Sequence, residues 1–285
     1  MEDLRKHIKN KNEMLESNFL LCDLFEIIHN QEDRVFCEYL ANFRIKEIKY
    51  SEMKKYIFKM ATFLKKNISV EKGKFIGILM ENSINWIAVF WGLLMIGYKP
   101  LLLNARLPFE MNEKVLAMAS CENVISDESF TNYKLNANIL YLKKSIGYLP
   151  DIDKEEEIKD KTWENEIALS TTATTLNIKL CIYKGEEIIY QCLNTNGILA
   201  KNKMIKTGYK GKIKVLMFLP LYHVFGLFAS YFWFSIYGRS FVFLNDYSTD
   251  TILKTIRKHE VTHVFAVPLL WHSLYKEIIK QVNRS

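Results

Sequence analysis

Residues 73–104 read GKFIGILMENSINWIAVFWGLLMIGYKPLLLN, and the fold class follows from this stretch. Its first apolar run, residues 75–80, has the length of a strand that is buried on both faces. Asn82 and Ser83 then supply capping oxygens for a helix, which Gly97 ends. A second apolar run follows directly. This order predicts two parallel strands joined by a helix.

The alternation of strands and helices continues on both sides of this stretch. Upstream, the sequence predicts a helix near 18–29, two strands at 34–40 and 44–48 spaced for a hairpin, and an amphipathic helix at 51–66. Downstream, it predicts strands at 123–126, 166–171, 179–183, 215–220, 240–244 and 262–267, with helices between most of them. The pattern is typical of an α/β fold with doubly wound, mostly parallel sheets flanked by helices.

Composition divides the chain into four segments. Residues 1–17 are basic and polar, which predicts a solvated N-terminal tail. Residues 151–162 are highly charged without periodicity, which favours a surface linker over a partner-binding segment. Residues 18–150 and 163–285 are then two α/β subdomains. Since no closing strand or covering unit follows the last predicted helix, we expect the chain to be a fragment, truncated relative to a longer protein.

The overall composition argues against several classes of protein. With 49% apolar and 25% charged residues, the 285-residue chain is typical of a globular protein. Its formal charge of +7 is spread along the chain, so we expect no nucleic-acid partner. Neither the five cysteines nor the histidines have the spacing of a disulfide framework or a metal site. Without a signal-peptide core or an apolar span of about 20 residues, we expect a cytoplasmic protein with no transmembrane segment.

A hydroxyl-rich stretch follows the predicted strand at 166–171. Residues 170–180 read STTATTLNIKL, so that five hydroxyl side chains precede one lysine. Hydroxyl and backbone N–H donors at the end of a strand, with one ammonium group nearby, are suited to holding phosphate oxygens. The stretch contains no glycine, which phosphate loops use for close approach of the backbone. An anion-binding turn and an ordinary threonine-rich turn both remain open on the residues alone.

A histidine follows the predicted strand at 215–220. The segment LPLYHVFG, residues 219–226, places His223 directly beyond that strand. Open α/β sheets bind their ligands beyond the carboxyl ends of their strands, which makes His223 a candidate site residue. The alternative is a histidine that caps an apolar helix and is satisfied there.

Together, these segments resemble the adenylate-forming acyl-CoA synthetase superfamily, the AMP-binding enzymes. Members of that family carry a Ser/Thr-Gly-rich loop that runs into Pro-Lys-Gly, and later a Pro-Leu-Phe/Tyr-His motif followed by a small residue or glycine. Residues 73–108 are similar to the family's strand and helix before a Pro-Leu-Asn turn. The resemblance covers this chain from residue 18 onward, but it corresponds to only about the first half of a typical family member. It implies the N-terminal subdomains of the acyl-CoA synthetase-like fold.

The resemblance implies roles for particular residues. The loop that grips the β- and γ-phosphates of ATP would comprise Thr171, Thr172, Thr174, Thr175 and Lys179. Lys179 and His223 would be the catalytic residues, with His223 beside the acyl substrate and the adenylate carbonyl. The substrate channel would be lined by Tyr222, His223, Val224, Phe225 and Gly226.

The sequence departs from the family pattern within the phosphate loop. Ala173, Leu176 and Leu180 stand where glycines are expected, and Ile178 stands where a proline is expected. A side chain at such a position limits how closely the backbone approaches an oxyanion. We therefore expect a weaker affinity for ATP than in a member with the glycines.

The function implied is that of an AMP-forming carboxylate–CoA ligase, which activates an organic acid, fatty or aromatic, through an acyl-adenylate. ATP, Mg²⁺ and CoA are the implied cofactors, and a small carboxylic acid and a nucleotide are the implied ligands. The implied partners are the family's C-terminal domain, which carries a catalytic lysine, and a carrier protein. Because the later signatures have no counterpart here, we expect this chain alone not to complete the catalytic cycle. A non-catalytic relative that binds a nucleotide or an acyl group remains the alternative.

Overall fold

The stretch 73–104 forms the strand, helix and strand that its sequence predicts. The protein is described by a computed structural model that covers residues 4–17, 19–31, 34–171, 178–201 and 212–283. Strands β3 (Phe75–Leu79) and β4 (Lys99–Leu102) pair in parallel, and α4 (Ile84–Met95) connects them. The hydroxyl of Ser83 caps α4 by accepting the Trp86 N–H at 3.0 Å. Gly97 follows the helix at a φ of 88°, a left-handed conformation that favours glycine.

Within the described residues the strands form two sheets. The first contains β3, β4, β5 (Asn123–Asp127), β6 (Asn138–Leu142), β7 (Glu166–Thr171) and β8 (Lys179–Lys184), in the order β6-β5-β3-β4-β7-β8. The second contains β1 (Val35–Ala41), β2 (Arg44–Lys49), β9 (Lys214–Leu216), β10 (Ser240–Val242) and β11 (His263–Val264), in the order β11-β9-β10-β1-β2. Neighbouring strands run parallel except in the hairpins β1–β2 and β7–β8. The doubly wound, mostly parallel arrangement is thus confirmed.

The remaining helices lie around and between the sheets. They are α1 (Leu4–Glu16), α2 (Leu21–His29), α3 (Tyr50–Asn67), α5 (Phe109–Met118), α6 (Pro150–Asp153), α7 (Gly185–Lys201), α8 (Trp233–Ile236), α9 (Thr249–Lys258) and α10 (Pro268–Val282). A π-helix, π1 (Phe225–Phe232), leads directly into α8, and a short 3₁₀ helix covers Glu128–Phe130. No helix among the described residues is both long and apolar enough to cross a membrane.

Three hydrophobic clusters show how the layers pack. The largest lies between the sheets and contains α2, α3, α4 and π1, and every residue of α4 is buried. The second covers the outer face of the six-stranded sheet with Val115 and Leu116 of α5. The third covers the outer face of the five-stranded sheet with Ile252 of α9 and Leu270 and Leu274 of α10. The inner strands of both sheets are therefore covered on both faces, which explains their continuous apolar runs, whereas the edge strand β2 is mostly exposed.

The N-terminal segment differs from its sequence-based prediction. Residues expected to form a solvated tail form α1 instead, and Leu15 is fully buried. The Asn196 amide on α7 also donates a hydrogen bond to Asn12 Oδ1 at 2.6 Å. The helix forms because it packs on α7, a contact that the polar composition of residues 1–17 does not reveal.

The sheets do not divide at the charged segment 151–162. Each sheet takes strands from both sides of it, because β1 pairs with β10 and β4 pairs with β7. The segment itself begins within α6, and Ile152 and Ile158 are buried. Because charged side chains surround these two residues in the sequence, the sequence did not predict that they pack against the core.

Candidate active site

The two ends of the hydroxyl-rich stretch lie in β7 and β8, at the pair of residues that flanks the connection between these strands. Thr171, the last residue of β7, pairs directly with Lys179, the first residue of β8, and both side chains are exposed. The Thr171 hydroxyl donates to the Lys179 carbonyl at 3.5 Å. Residues 172–177 lie outside the described part of the chain, so the structure does not place the predicted phosphate ligands Thr172, Thr174 and Thr175, nor Ala173 and Leu176.

Strand geometry fixes the face on which Thr171 and Lys179 lie. Residues directly opposite in an antiparallel pair share a face, and alternate residues along a strand share a face. Lys179 therefore lies on the same face as Tyr183, whose ring packs edge-on against Phe228 of π1 at a centroid distance of 5.4 Å. Thr171 and Lys179 are thus on the face of the six-stranded sheet that looks toward π1.

Leu180 lies on the opposite face of β8 from Lys179. It packs against the outer cluster that contains α5, as does Ile178. The two side chains that replace an expected glycine and an expected proline in the described residues therefore point away from the face with the hydroxyl and the ammonium group. Leu180 does not obstruct an anion bound by Thr171 and Lys179.

His223 lies in a turn beyond the carboxyl end of β9. Its N–H donates to the Pro220 carbonyl at 3.1 Å, and its own carbonyl accepts the Leu227 N–H at 2.9 Å, which starts π1. The imidazole is exposed, and its Nδ1 lies 3.3 Å from the Phe225 N–H. Because Nδ1 accepts that hydrogen bond, the neutral ring carries its proton on Nε2, the outward nitrogen.

The residues around His223 differ in their exposure. Tyr222 is buried, and its hydroxyl has no hydrogen-bond partner among the described residues. Burial raises the pKa of Tyr222 to about 12, against a smaller opposing effect of Arg106. Val224 and Phe225 are exposed. Gly226 is buried, and an added methyl group there would overlap the Pro220 carbonyl, so this position requires glycine.

A cavity of about 870 Å³ lies between β8, α7 and π1. Its apolar wall comes from Ile182, Tyr183, Val224, Phe225, Phe228 and Ala229, and its polar wall from Cys181, Glu187, Gln191, Cys192 and Thr195. Burial raises the pKa of the Cys192 thiol to about 12, so Cys192 adds no charge to the polar wall. Two of the predicted channel residues, Val224 and Phe225, line this cavity, whereas Tyr222, His223 and Gly226 are not among its lining residues.

The cavity is lined by residues close to Lys179 and to His223 in the chain. Cys181 follows Lys179 by two residues on one wall, and Val224 follows His223 directly on the other. Lys179 and His223 are thus each close in the chain to a residue that lines the cavity. Among the described residues, no group of three or more His, Cys, Asp or Glu side chains is arranged to hold a metal ion.

Sequence reasoning missed the role of Asn82 in this region. It assigned Asn82 to the cap of α4, but Ser83 is the cap, and the Asn82 side chain bonds to the segment before His223. The available signal was its position, because a polar residue directly beyond a buried parallel strand lies at the ligand-binding edge of the sheet.

Comparison with known proteins gives one family and a consistent group of relatives. The family model described as AMP-binding enzyme matches residues 24–284. The 2-succinylbenzoate–CoA ligase of Bacillus subtilis (strain 168) is 26% identical over 213 residues, which are 73% of this chain and 41% of that protein. Its counterpart in Bacillus velezensis is 24% identical over 237 residues, 82% of this chain and 47% of that protein. The chain thus spans less than half the length of these curated relatives.

Solved structures share the fold. The O-succinylbenzoate coenzyme A synthetase of Bacillus subtilis in complex with AMP superposes with a TM-score of 0.69 at 22% identity, over 89% of this chain and 63% of that one. The inhibitor-bound N-terminal domain of FACL13 from Mycobacterium tuberculosis gives a TM-score of 0.72 at 15% identity, over 90% and 65%. At these identities, the likeness establishes a common architecture.

Proposed function

Because the chain belongs to the family of AMP-binding enzymes, we propose that it is the N-terminal part of an AMP-forming carboxylate–CoA ligase. A carboxylate oxygen would attack the α-phosphorus of ATP, the bond from that phosphorus to the β-phosphate oxygen would break, and pyrophosphate would leave. A thiol, from CoA or a carrier protein, would then attack the acyl carbon and release AMP. Since the chain spans 41% of the first relative, this activity belongs to a protein with the remaining parts of that architecture.

The observation that carries the proposal is the shared face of Thr171, Lys179 and the cavity. A hydroxyl and an ammonium group at the turn end of a hairpin are hydrogen-bond donors suited to phosphate oxygens. Lys179 is exposed and has no acidic partner among the described residues, so its charge is available to a polyphosphate. These groups fit the triphosphate of ATP. Mg²⁺, when bound with the nucleotide, would offset phosphate charge and needs few protein ligands of its own.

His223 is proposed to orient the acyl end of the substrate. Because its Nδ1 is engaged by the Phe225 N–H, the outward Nε2–H is the donor for an oxygen of the carboxylate or the adenylate. A donor fixed in this way stabilises charge on the reacting oxygen without reorganisation.

The cavity is proposed to hold the tail of the acid. Its volume of about 870 Å³ is in the range of small-molecule sites, and Tyr183, Phe225 and Phe228 provide aromatic walls. This lining favours an apolar or aromatic acid. The alternative, a module that binds a nucleotide or an acyl group without catalysis, is favoured by the side chains of Ala173 and Leu176 in place of expected glycines.

The test combines ATP binding with carboxylate-dependent exchange of pyrophosphate into ATP on the full gene product. Calorimetry with MgATP should give binding, and at least one apolar or aromatic acid in a broad panel should support exchange. Lys179→Ala should weaken MgATP binding by 10-fold or more, because one unit of charge in contact with phosphate is lost. Lys184→Ala, at the other end of the same strand, is the matched control and should bind like the parent.

Two results would contradict these assignments. A folded protein that binds MgATP but exchanges pyrophosphate with no acid would be the non-catalytic module. A Lys179→Ala variant with parental affinity for MgATP would show that the hairpin end does not hold phosphate.

A further inference from the structure

We propose that Asn82 is the positioning residue of His223, an inference that rests on the proposed function above. Asn82 lies beyond the carboxyl end of β3, in the six-stranded sheet, whereas His223 lies beyond β9, in the five-stranded sheet. The side chain of Asn82 is the hydrogen-bonded link between these two positions.

The amide of Asn82 is buried and almost fully used. Its Nδ2 donates to the carbonyls of Met217 and Leu219 at 3.0 and 2.8 Å, and its Oδ1 accepts the Leu221 N–H at 2.9 Å. Both donors and one acceptor site of the amide are therefore engaged with a single five-residue backbone segment. The side chain thus holds that segment by three hydrogen bonds.

The segment needs this side chain because it has left the sheet. The ladder between β9 and β10 ends at Leu216, and the last backbone bond to that neighbour is from the Met217 N–H to the Val242 carbonyl at 2.9 Å. Met217 and Leu219 are buried, so their carbonyls must find partners within the protein. Asn82 supplies them, which also explains why the strand predicted at 215–220 is shorter in the structure.

The constraint reaches the imidazole through a short path. Leu221 precedes His223 by two residues, and the next turn closes through the bond from the His223 N–H to the Pro220 carbonyl. Gly226 packs directly on that same carbonyl. The bond from the Phe225 N–H to His223 Nδ1 lies at the end of this path, so a displaced Leu221 shifts the ring and its hydrogen bond together.

The consequence is a fixed spacing between the two halves of the candidate site. Thr171 and Lys179 belong to the six-stranded sheet, in which β4 alone separates β3 from β7. Asn82 bonds the His223 turn to the end of β3. It therefore fixes the position of the imidazole relative to the sheet that carries the proposed phosphate-binding groups. Catalysis between two bound reactants depends on such spacing to within fractions of an ångström.

The test uses Asn82→Ala, Asn82→Asp and the matched control Asn85→Ala in the full gene product. Asp keeps the volume and the acceptor for Leu221 but removes both donors. Asn85 is equally buried at the start of α4 and also makes three hydrogen bonds, to the Ser145 and Gly147 carbonyls and from the Tyr56 hydroxyl, but none to the His223 turn. It therefore reports the effect of losing a buried amide as such.

The first measurement is independent of activity. Nitrogen-15 NMR of the neutral His223 ring, assigned with His223→Gln, should show the parent as one tautomer, with the proton on Nε2. Both Asn82 variants should shift these signals or split them into several species, and Asn85→Ala should match the parent. A parental His223 spectrum in a folded Asn82 variant would overturn the proposal. If both Asn82 variants fail to fold while Asn85→Ala folds, the amide is a general stability element, and the proposal is equally overturned.

The second measurement is the pyrophosphate exchange. We expect Asn82→Ala and Asn82→Asp to lower kcat by 10-fold or more while the KM for ATP stays within about twofold, and Asn85→Ala to keep both. Equal kcat values in Asn82→Ala and Asn85→Ala would contradict the positioning role. A parent without exchange would refute the proposed function, and the NMR result would still decide whether Asn82 positions His223.

Discussion

His29 is a buried histidine whose surroundings hold it neutral. Its ring packs against Phe25 at a centroid distance of 4.3 Å, its Nδ1 donates to the Phe25 carbonyl, and its Nε2 has no partner among the described residues. Burial lowers the pKa of His29 to about 3, and Lys54 adds to the effect, although the hydrogen bond to Phe25 opposes it. The group is buried among the aromatic side chains of the core.

A pH dependence of stability follows from His29. Below about pH 6.5 the unfolded chain protonates this histidine and the folded chain does not, so the free energy of unfolding should fall as the pH is lowered. The contribution is roughly 1.4 kcal/mol per pH unit between pH 6 and 4. Urea unfolding, followed by tryptophan fluorescence at several pH values, gives the free energy of unfolding. Between pH 6 and 4 this free energy should change less with pH in His29→Gln than in the parent. His272→Gln, at an exposed position on α10, is the control, and an equal slope in His29→Gln and the parent would contradict the assignment.

A buried charged cluster joins β1, β9 and the end of α9. Glu38 Oε1 lies 2.6 Å from Lys214 Nζ, and Glu38 Oε2 lies 3.0 Å from His259 Nδ1. Lys214 Nζ also donates to the His259 carbonyl at 2.9 Å. Glu38 is 3% exposed, so its charge depends on these partners.

We expect Glu38→Gln to destabilise the protein strongly. The loss of the carboxylate leaves Lys214 partly buried without its counter-charge, which costs on the order of 3–5 kcal/mol. Glu13→Gln removes an exposed ion pair with Lys9 and should change stability by about 0.5 kcal/mol or less. Urea unfolding at pH 7 measures both values. A loss below about 1 kcal/mol for Glu38→Gln would mean that the cluster contributes little.

The elements that sequence reasoning predicted well are those with a local cause. The strands β3, β4 and β5 and the helix α4 follow from apolar runs, a serine cap and one glycine, all within about fifty residues. Their order in the sheet follows from the connection rules for parallel strands. The β1–β2 hairpin follows from two strand-like runs separated by a short turn.

The elements that it missed depend on distant contacts. Nothing local to Cys37 indicates that it pairs with Phe241, and the apolar pattern of 138–142 is too short to identify β6. In the candidate site, too, local features could be predicted and distant contacts could not. Alternation along β8 predicts that Lys179 shares a face with Tyr183, but the bonds of Asn82 to Met217 and Leu219 appear only when both sheets are assembled.

Both sheets are built from both parts of the chain. Residues 1–150 supply four of the six strands in one sheet and two of the five in the other, and the remaining strands lie beyond the charged segment. Neither part therefore contains a complete sheet. Independent folding of the two predicted subdomains is not supported by this topology.

We expect fragments 1–150 and 163–285 to be unfolded or molten when separate. Each would expose unpaired strand edges and half of a shared apolar core. Neither fragment should show cooperative urea unfolding, and mixing the two should restore it. A protease site between the exposed residues Glu156 and Glu157 in the full chain is the control, because cutting there leaves both parts in place. Cooperative unfolding of either fragment alone would contradict the expectation.

The pairing of β1 with β10 also sets the timing of folding in the cell. Cys37 emerges from the ribosome about 200 residues before Phe241, its neighbour in the finished sheet. At roughly 5–20 residues per second of translation, that interval is on the order of 10–40 s. For that time the nascent hairpin presents one open edge to other polypeptides, so a holdase chaperone or a low expression rate should raise the yield of soluble protein.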